Sequence, residues 1–155
     1  MPIQLNHTIA PAHDKDASAA FLSEILGLAA PVRIGPFAVV QVGDTSIDYM
    51  NIEEYRSASD AEIASQHYAF LITEAEFDEI FARVRARRLA FWADPYRRER
   101  DQINTWDGGR GVYFEDPNGH LLEIITRPYG SGGATAARVH PLFAQASGRE
   151  DREDH

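Results

Sequence analysis

A chain of 155 residues can bury one substantial core, either as one domain or as two small fused modules. Its formal net charge of −9 argues against nucleic acid or an anionic membrane as the main partner, and the absence of cysteine excludes disulfides, a thiolate nucleophile and a Cys metal site. No apolar run approaches a membrane span and the N-terminus lacks a basic-then-apolar pattern, so a cytoplasmic protein with no membrane partner is the default expectation.

Taken in order, Ile3 to Ile9 alternates Ile3, Leu5, His7 and Ile9 against Gln4, Asn6 and Thr8, the pattern of a strand with His7 on its apolar face. Pro11 is expected to end it. A helix follows from Asp14 or Asp16 to Leu26, with acidic residues at its N-terminus, an apolar stripe of Phe21, Leu22, Ile25 and Leu26, and Gly27 as the stop. Short strands are expected at 31–34, 37–42 and 46–51, separated by Gly35-Pro36 and Gly43-Asp44. The stretch 53–66 is polar and reads as a linker with room for a helical turn.

The pattern then recurs. His67 to Ile72 is a strand that opens on a histidine. Thr73 and Glu76 form a capping box for a helix running to about Arg88, with Phe77, Ile80, Phe81 and Val84 facing inward. Leu89–Trp92 is a short strand, and Asp94–Gly109 a long polar loop of the kind that serves as a lid or binding element. In that loop Tyr96, Arg97, Arg98, Asn104 and Trp106 can frame an anionic or aromatic substrate, or the arginines can form a solvated face with Glu99 and Asp101. Gly111–Glu115 and Leu121–Thr126 are strands joined by the turn Asp116-Pro117-Asn118-Gly119. The tail from Gly130 starts Gly/Ser/Ala-rich and ends charged, and is expected to be flexible and not catalytic. Within it Val139, Leu142 and Phe143 can dock on the body or on a partner, and His140 and His155 are weak ligand candidates.

The fold class is therefore α+β: strand–helix–three strands, twice over, as modules 1–52 and 67–129 around the linker 53–66, with the tail 130–155. His7 and His67 open the two units, and Asp48 and Glu123 lie in their last strands. Glu123 sits among Leu121, Leu122, Ile124 and Ile125, where a carboxylate is costly to bury without a positive partner. Either its face is wetted or it meets a cation. If first and last strands of a unit are neighbours, two histidines and one carboxylate can form a site suited to Zn, Ni, Mn, Co or Fe(II), with positions left open for substrate.

LNHTIAPAHD…FLSEILGL, HYAFLI and, most specifically, GVYFEDPNGHLLEI resemble the opening strand and helix, the second-module opening and the closing hairpin of the vicinal oxygen chelate superfamily, over about Leu5 to Pro128. That superfamily includes glyoxalase I, fosfomycin and bleomycin resistance proteins and extradiol dioxygenases. The resemblance implies curved paired-module sheets around a metal cleft, His7, His67 and Glu123 as ligands of one divalent ion, and a homodimer, since in many members the halves of a site come from different subunits. Asp48 is the candidate for the fourth ligand that glyoxalase I carries. Tyr113 matches the tyrosine that fosfomycin-modifying members carry ten residues before the metal Glu. The implied activity is a lyase, isomerase or related metal enzyme acting on a small oxygen-rich substrate, with Glu123 and Tyr113 in catalytic roles. Tyr49, Trp92, Trp106 and Arg97 are expected to contact the substrate. The alternatives are a sequestering protein using the same cleft with aromatic walls, and an extradiol-type dioxygenase.

Overall fold

Both main helices begin and end where the sequence supplies the hydrogen-bond partners a helix terminus lacks. In the first, α1 (Lys15–Leu26), the Asp14 side chain accepts from the N–H groups of Asp16 and Ala17, and Gly27 closes the C-terminus at φ 71. In the second, α3 (Glu74–Ala86), Thr73 and Glu76 form the expected capping box. The structure, a computed structural model, describes residues 2–56, 62–132 and 141.

Around α1 lie β1 (His7–Ala12), β2 (Val32–Ile34), β3 (Phe37–Val42) and β4 (Thr45–Asn51); a short α2 (Ile52–Arg56) opens the linker. Around α3 lie β5 (His67–Leu71), β6 (Phe91–Trp92), β7 (Gly111–Glu115) and β8 (Leu121–Ile125). The strands form two four-stranded sheets of the same topology, β1-β4-β3-β2 and β5-β8-β7-β6. In each, the first and last strands pair in parallel, so the residue that opens a unit lies beside the strand that closes it.

Alternation assigns the two faces of each sheet. Ala10, Ala12, Val40, Ile47 and Tyr49 of the first sheet and Phe70, Val112, Phe114, Leu122 and Ile124 of the second pack with Leu22, Ile25, Phe77, Ile80 and Val84 of the helices in one core. The opposite faces carry His7 and Asp48 in the first sheet and His67, Tyr113 and Glu123 in the second.

The first strand departs from the pattern reading. It starts at His7, not Ile3, and runs through Pro11 to Ala12. Ile3 and Leu5 are 102% and 69% exposed, so the alternation that suggested an early strand is not used for burial. Pairing with β4 decides the register, and Pro11 is tolerated because β1 is an edge strand. His7 is exposed, not packed on an apolar face. Of the tail, residues 130–132 and 141 are described; the expectations for Val139, Leu142, Phe143, His140 and His155 fall outside the described residues.

The two units are locked together through the turn before β8. His120 is fully buried; its Nε2–H donates to Pro11 O at 2.7 Å, and its Nδ1 accepts from Gln66 N at 3.0 Å. Asn118 accepts from His13 N at 2.8 Å and donates to Ser18 Oγ at 2.9 Å. Asp116 Oδ1 holds the turn itself by accepting from the N–H groups of Asn118 and His120 at 2.8 and 2.9 Å. His120 is thus a structural tie between units. Replacing it with Leu strands the carbonyl of buried Pro11, costing about 1–3 kcal/mol, and takes the acceptor from the N–H of exposed Gln66. Urea unfolding of His120→Leu is expected to show a loss of about 1–3 kcal/mol; a loss below about 0.5 kcal/mol, the range of a surface substitution, would remove this role.

Candidate metal centre

The closing strand β8 lies between β5 and β7, and its alternation turns Glu123 away from the helix-covered core. Ala69 of β5 and Tyr113 of β7 are its register partners, so His67, two residues before Ala69, reaches it diagonally. His67 Nε2 lies 3.2 Å from Glu123 Oε2. Tyr113 stacks on the His67 ring, with centroids 5.8 Å apart, and Trp106 approaches Tyr113 at 6.3 Å. Tyr129, from the segment after β8, donates its hydroxyl to Glu123 Oε2 and meets Tyr113 Oη at 3.3 Å.

The protonation of this cluster follows from its hydrogen bonds. His67 Nδ1 lies 2.9 Å from Leu121 O, and a carbonyl only accepts, so Nδ1 carries a hydrogen. In the neutral ring Nε2 therefore turns a lone pair toward a carboxylate oxygen. That arrangement calls for a proton or a cation between them. Accordingly the hydrogen bond with Glu123 raises the pKa of His67, against the lowering effect of burial. Burial raises the Tyr113 hydroxyl far above its ordinary value, and it does the same at Tyr129, so both phenols stay protonated donors. Glu123 itself has no solvent exposure, and its Oε1 has no partner among the described residues. A buried carboxylate with an orphaned oxygen is a costly arrangement without positive charge nearby.

These features fit a divalent metal. Donors roughly 2.0–2.2 Å from one ion stand about 2.8–3.6 Å apart at the angles of four- to six-coordination, and the Nε2–Oε2 separation of 3.2 Å falls in that range. A ligating imidazole also normally donates its other N–H to a carbonyl or carboxylate, as His67 does to Leu121.

His7 does not join this pair within one chain. Among the described residues no three or more His, Asp or Glu side chains gather where they could hold one ion, so the expected convergence of His7, His67 and Glu123 is not present in a single chain. The reason is topological: β1 and β5 are edge strands of separate sheets. In the first sheet Asp48 pairs with Ile9, two residues beyond His7, as Glu123 pairs with Ala69, two beyond His67. Asp48 therefore holds the register place of Glu123, but the pair is not closed. Asp48 accepts from Ser46 Oγ at 2.7 Å, and His7 Nδ1 lies 2.7 Å from Asn6 Oδ1.

The expected substrate contacts divide. Trp92 pairs with Tyr113 in register and shares its face, and Trp106 flanks it, so both belong to an aromatic wall beside His67. Tyr49 does not: it is fully buried in the core beneath α1, because alternation sends it and Asp48 to opposite faces. Arg97 is engaged, its Nε on Glu115 Oε1 at 2.5 Å and its guanidinium 5.9 Å from the Trp92 ring, so it braces the wall and the opposite strand. Arg98 lies over Tyr96 at 5.4 Å, and Arg100 lies 3.9 Å from Asp101. The loop is folded: Asp94 ties its first turn through the N–H groups of Tyr96, Arg98 and Glu99, and buried Asn104 donates to Ala93 O at 2.9 Å. Tyr129 is the residue that pattern reading missed. Lying just past the last strand, it has no periodicity to place it opposite Glu123.

A family model described as "Glyoxalase/Bleomycin resistance protein/Dioxygenase superfamily" matches residues 4–124. Among curated proteins, "Metallothiol transferase FosB" of Lysinibacillus sphaericus is 27% identical over 122 residues, covering 79% of this chain and 81% of that protein. "Glutathione transferase FosA" of Serratia marcescens is 27% identical over 137 residues, covering 87% and 84%. Among solved structures, "Oxidase ChaP-H2" is 56% identical with TM-score 0.79, covering 86% of this chain and 100% of that one. "Oxidase ChaP-H1" is 57% identical with TM-score 0.77, covering 83% and 99%. With the paired sheets described above, these matches establish that the chain belongs to the glyoxalase/bleomycin resistance protein/dioxygenase superfamily.

Proposed function

We propose that the chain is a divalent-metal-dependent oxidoreductase acting on a small substrate through two neighbouring oxygens, and that it works as a homodimer. The observation that carries the metal reading is a half-exposed His67 set against a fully buried Glu123, with the Nε2 lone pair turned toward the carboxylate at 3.2 Å. Oxidation is favoured over lyase or transferase chemistry because the two oxidases above are 56% and 57% identical, against 27% for the two transferases.

His67 and Glu123 supply two ligands. His7 of the partner subunit is the candidate third, and Asp48 the candidate fourth. Two features support this division. His7 is exposed and outside the His67–Glu123 cluster in its own chain. The free edges of β1 and β5 flank a cavity of about 390 Å³ lined by Leu5, Thr8, Ile47, His67, Tyr68 and Leu71. Leu5 and Leu71 are 69% and 61% exposed there, an apolar edge suited to a second copy.

Once bound, the ion supplies an electrophile that holds paired substrate oxygens and stabilises negative charge developing on them. The chain's own groups do the rest. Tyr113, kept protonated by burial, can donate a hydrogen bond to a substrate oxygen. Trp106 and Trp92 wall the cleft beside it. Glu123, freed of one contact, can accept a proton from the substrate.

Elemental analysis of protein purified without added metal is expected to show about one divalent ion per chain. Glu123→Gln should lower metal affinity by more than about 100-fold, beyond the 10–100-fold typical of losing an outer-shell partner. Unchanged metal content in that variant would refute the ligand assignment. Asp48→Asn lowers metal content only if Asp48 is a ligand, so the two variants together separate a three-ligand site from a four-ligand one.

Light scattering at micromolar concentration is expected to give the mass of a dimer; a metal-loaded monomer sinks the shared-site reading. The metal-loaded protein should consume oxygen with catechol-like or related oxygen-rich compounds. Turnover of a hemithioacetal or epoxide without oxygen consumption would instead assign lyase or transferase chemistry. Tight binding of a ligand without turnover would assign a sequestering role.

A further inference from the structure

The segment following β8 folds back over the Glu123 carboxylate and is held from two sides. On one side the Tyr129 hydroxyl donates to Glu123 Oε2 and meets Tyr113 Oη at 3.3 Å. On the other, the N–H of Gly130 donates to Asp107 Oδ2 at 3.0 Å. Asp107 is 1% exposed and stands at φ 56 in the 3-10 turn Trp106–Gly108, at the end of the loop 94–109. Its other oxygen, Oδ1, has no partner among the described residues. A buried acidic side chain on a left-handed backbone, spent on one backbone N–H of a passing segment, acts as a clasp.

The clasp matters because of what it leaves Glu123. Oε2 takes both His67 Nε2 and Tyr129 Oη, while Oε1 takes nothing among the described residues. A cation drawn in between His67 and Glu123 replaces their direct contact. Tyr129, with Tyr113 beside it, then keeps a hydrogen bond on Oε2 that fixes the rotation of the carboxylate. Outer hydrogen bonds of this kind orient ligating carboxylates and are felt in metal affinity.

We propose that Tyr129 is a positioning residue for Glu123, and that the Asp107–Gly130 clasp ties this position to the loop 94–109. The proposal rests on the metal reading above and extends it. The loop carries Trp106 in the cleft wall, so Asp107, Gly130 and Tyr129 link that wall to the ligand carboxylate.

Titrating the metal-free full chain with Co²⁺ against a competing chelator reads affinity, and the visible absorption band of the bound ion reads the arrangement of its ligands. Tyr129→Phe keeps the ring and deletes only the hydroxyl. It is expected to weaken Co²⁺ binding about 10–100-fold and to alter the band, a signature that loss of packing alone would not move. Asp107→Gly suits the positive φ, removes the clasp, and is expected to weaken binding in the same range. The double variant is expected to be no weaker than the worse single one, because both changes act through one contact. Asp107→Asn, which keeps an accepting oxygen, is expected to restore binding close to that of the unaltered chain.

Unaltered affinity and band in Tyr129→Phe overturn the proposal, and so do losses that multiply in the double variant. Glu123→Gln separates this from failure of the metal reading. If that variant loses Co²⁺ while Tyr129→Phe does not, only the positioning role falls. If it binds Co²⁺ as the unaltered chain does, the metal reading falls and the positioning role falls with it.

Discussion

A carboxylate with no solvent exposure, flanked along its strand by Leu122 and Ile124 of the core, sets the terms for its surroundings. Burying a charged group is tolerable only when polar partners and opposite charge replace the lost water. Around Glu123 the partners come from three separate parts of the chain: His67 from the neighbouring parallel strand, Tyr129 from the segment beyond the sheet, and Tyr113 through Tyr129. None is local in sequence to the others. The sheet order β5-β8-β7 makes the first and last possible, by placing the strand that carries the carboxylate between the strands that carry the imidazole and the phenol.

The first sheet shows what the same topology does without that constraint. Its register puts Asp48 where the second sheet puts Glu123, yet Asp48 turns to Ser46 and His7 to Asn6. Asp48 is only half-buried, and its shorter side chain is already satisfied by Ser46, so nothing forces the pair to close. The two units are therefore alike in backbone and different in chemistry. They are joined through His120 and Asn118, whose hydrogen bonds reach Pro11, His13 and Ser18 of the first unit. That union seals one face of each sheet into a common core and leaves the other faces, with their histidines, outside it.

Between these fixed parts, the loop 94–109 contributes both wall and clasp. Its folding depends on side chains that satisfy its own backbone: Asp94 at the start, Asn104 in the middle, and a close approach to β7 at the end. There Asn104 N and O both bond Gly111, and a Cβ on Gly111 would lie 2.8 Å from Asn104 Oδ1. A loop built this way is rigid enough to hold Trp106 beside Tyr113 and Asp107 beside Gly130.

Much of the fold was legible in the residues themselves. Capping by Asp14, Thr73 and Glu76, the left-handed stop at Gly27, and the alternation that puts Leu122 and Ile124 opposite Glu123 are local consequences of side-chain chemistry and strand geometry. So is the repeat, because the same element order recurs with histidines and carboxylates at matching places. What the tertiary structure alone decided depends on long-range pairing. It moved the first strand to His7–Ala12, since the register with β4 outweighs the alternation of an exposed N-terminus. It sent Tyr49 into the core and Arg97 to Glu115. It also brought Tyr129 onto Glu123, from a stretch with no period to read, because a contact made by a chain turning back on itself is set by where the strand ends and what waits there, and neither is written in local sequence.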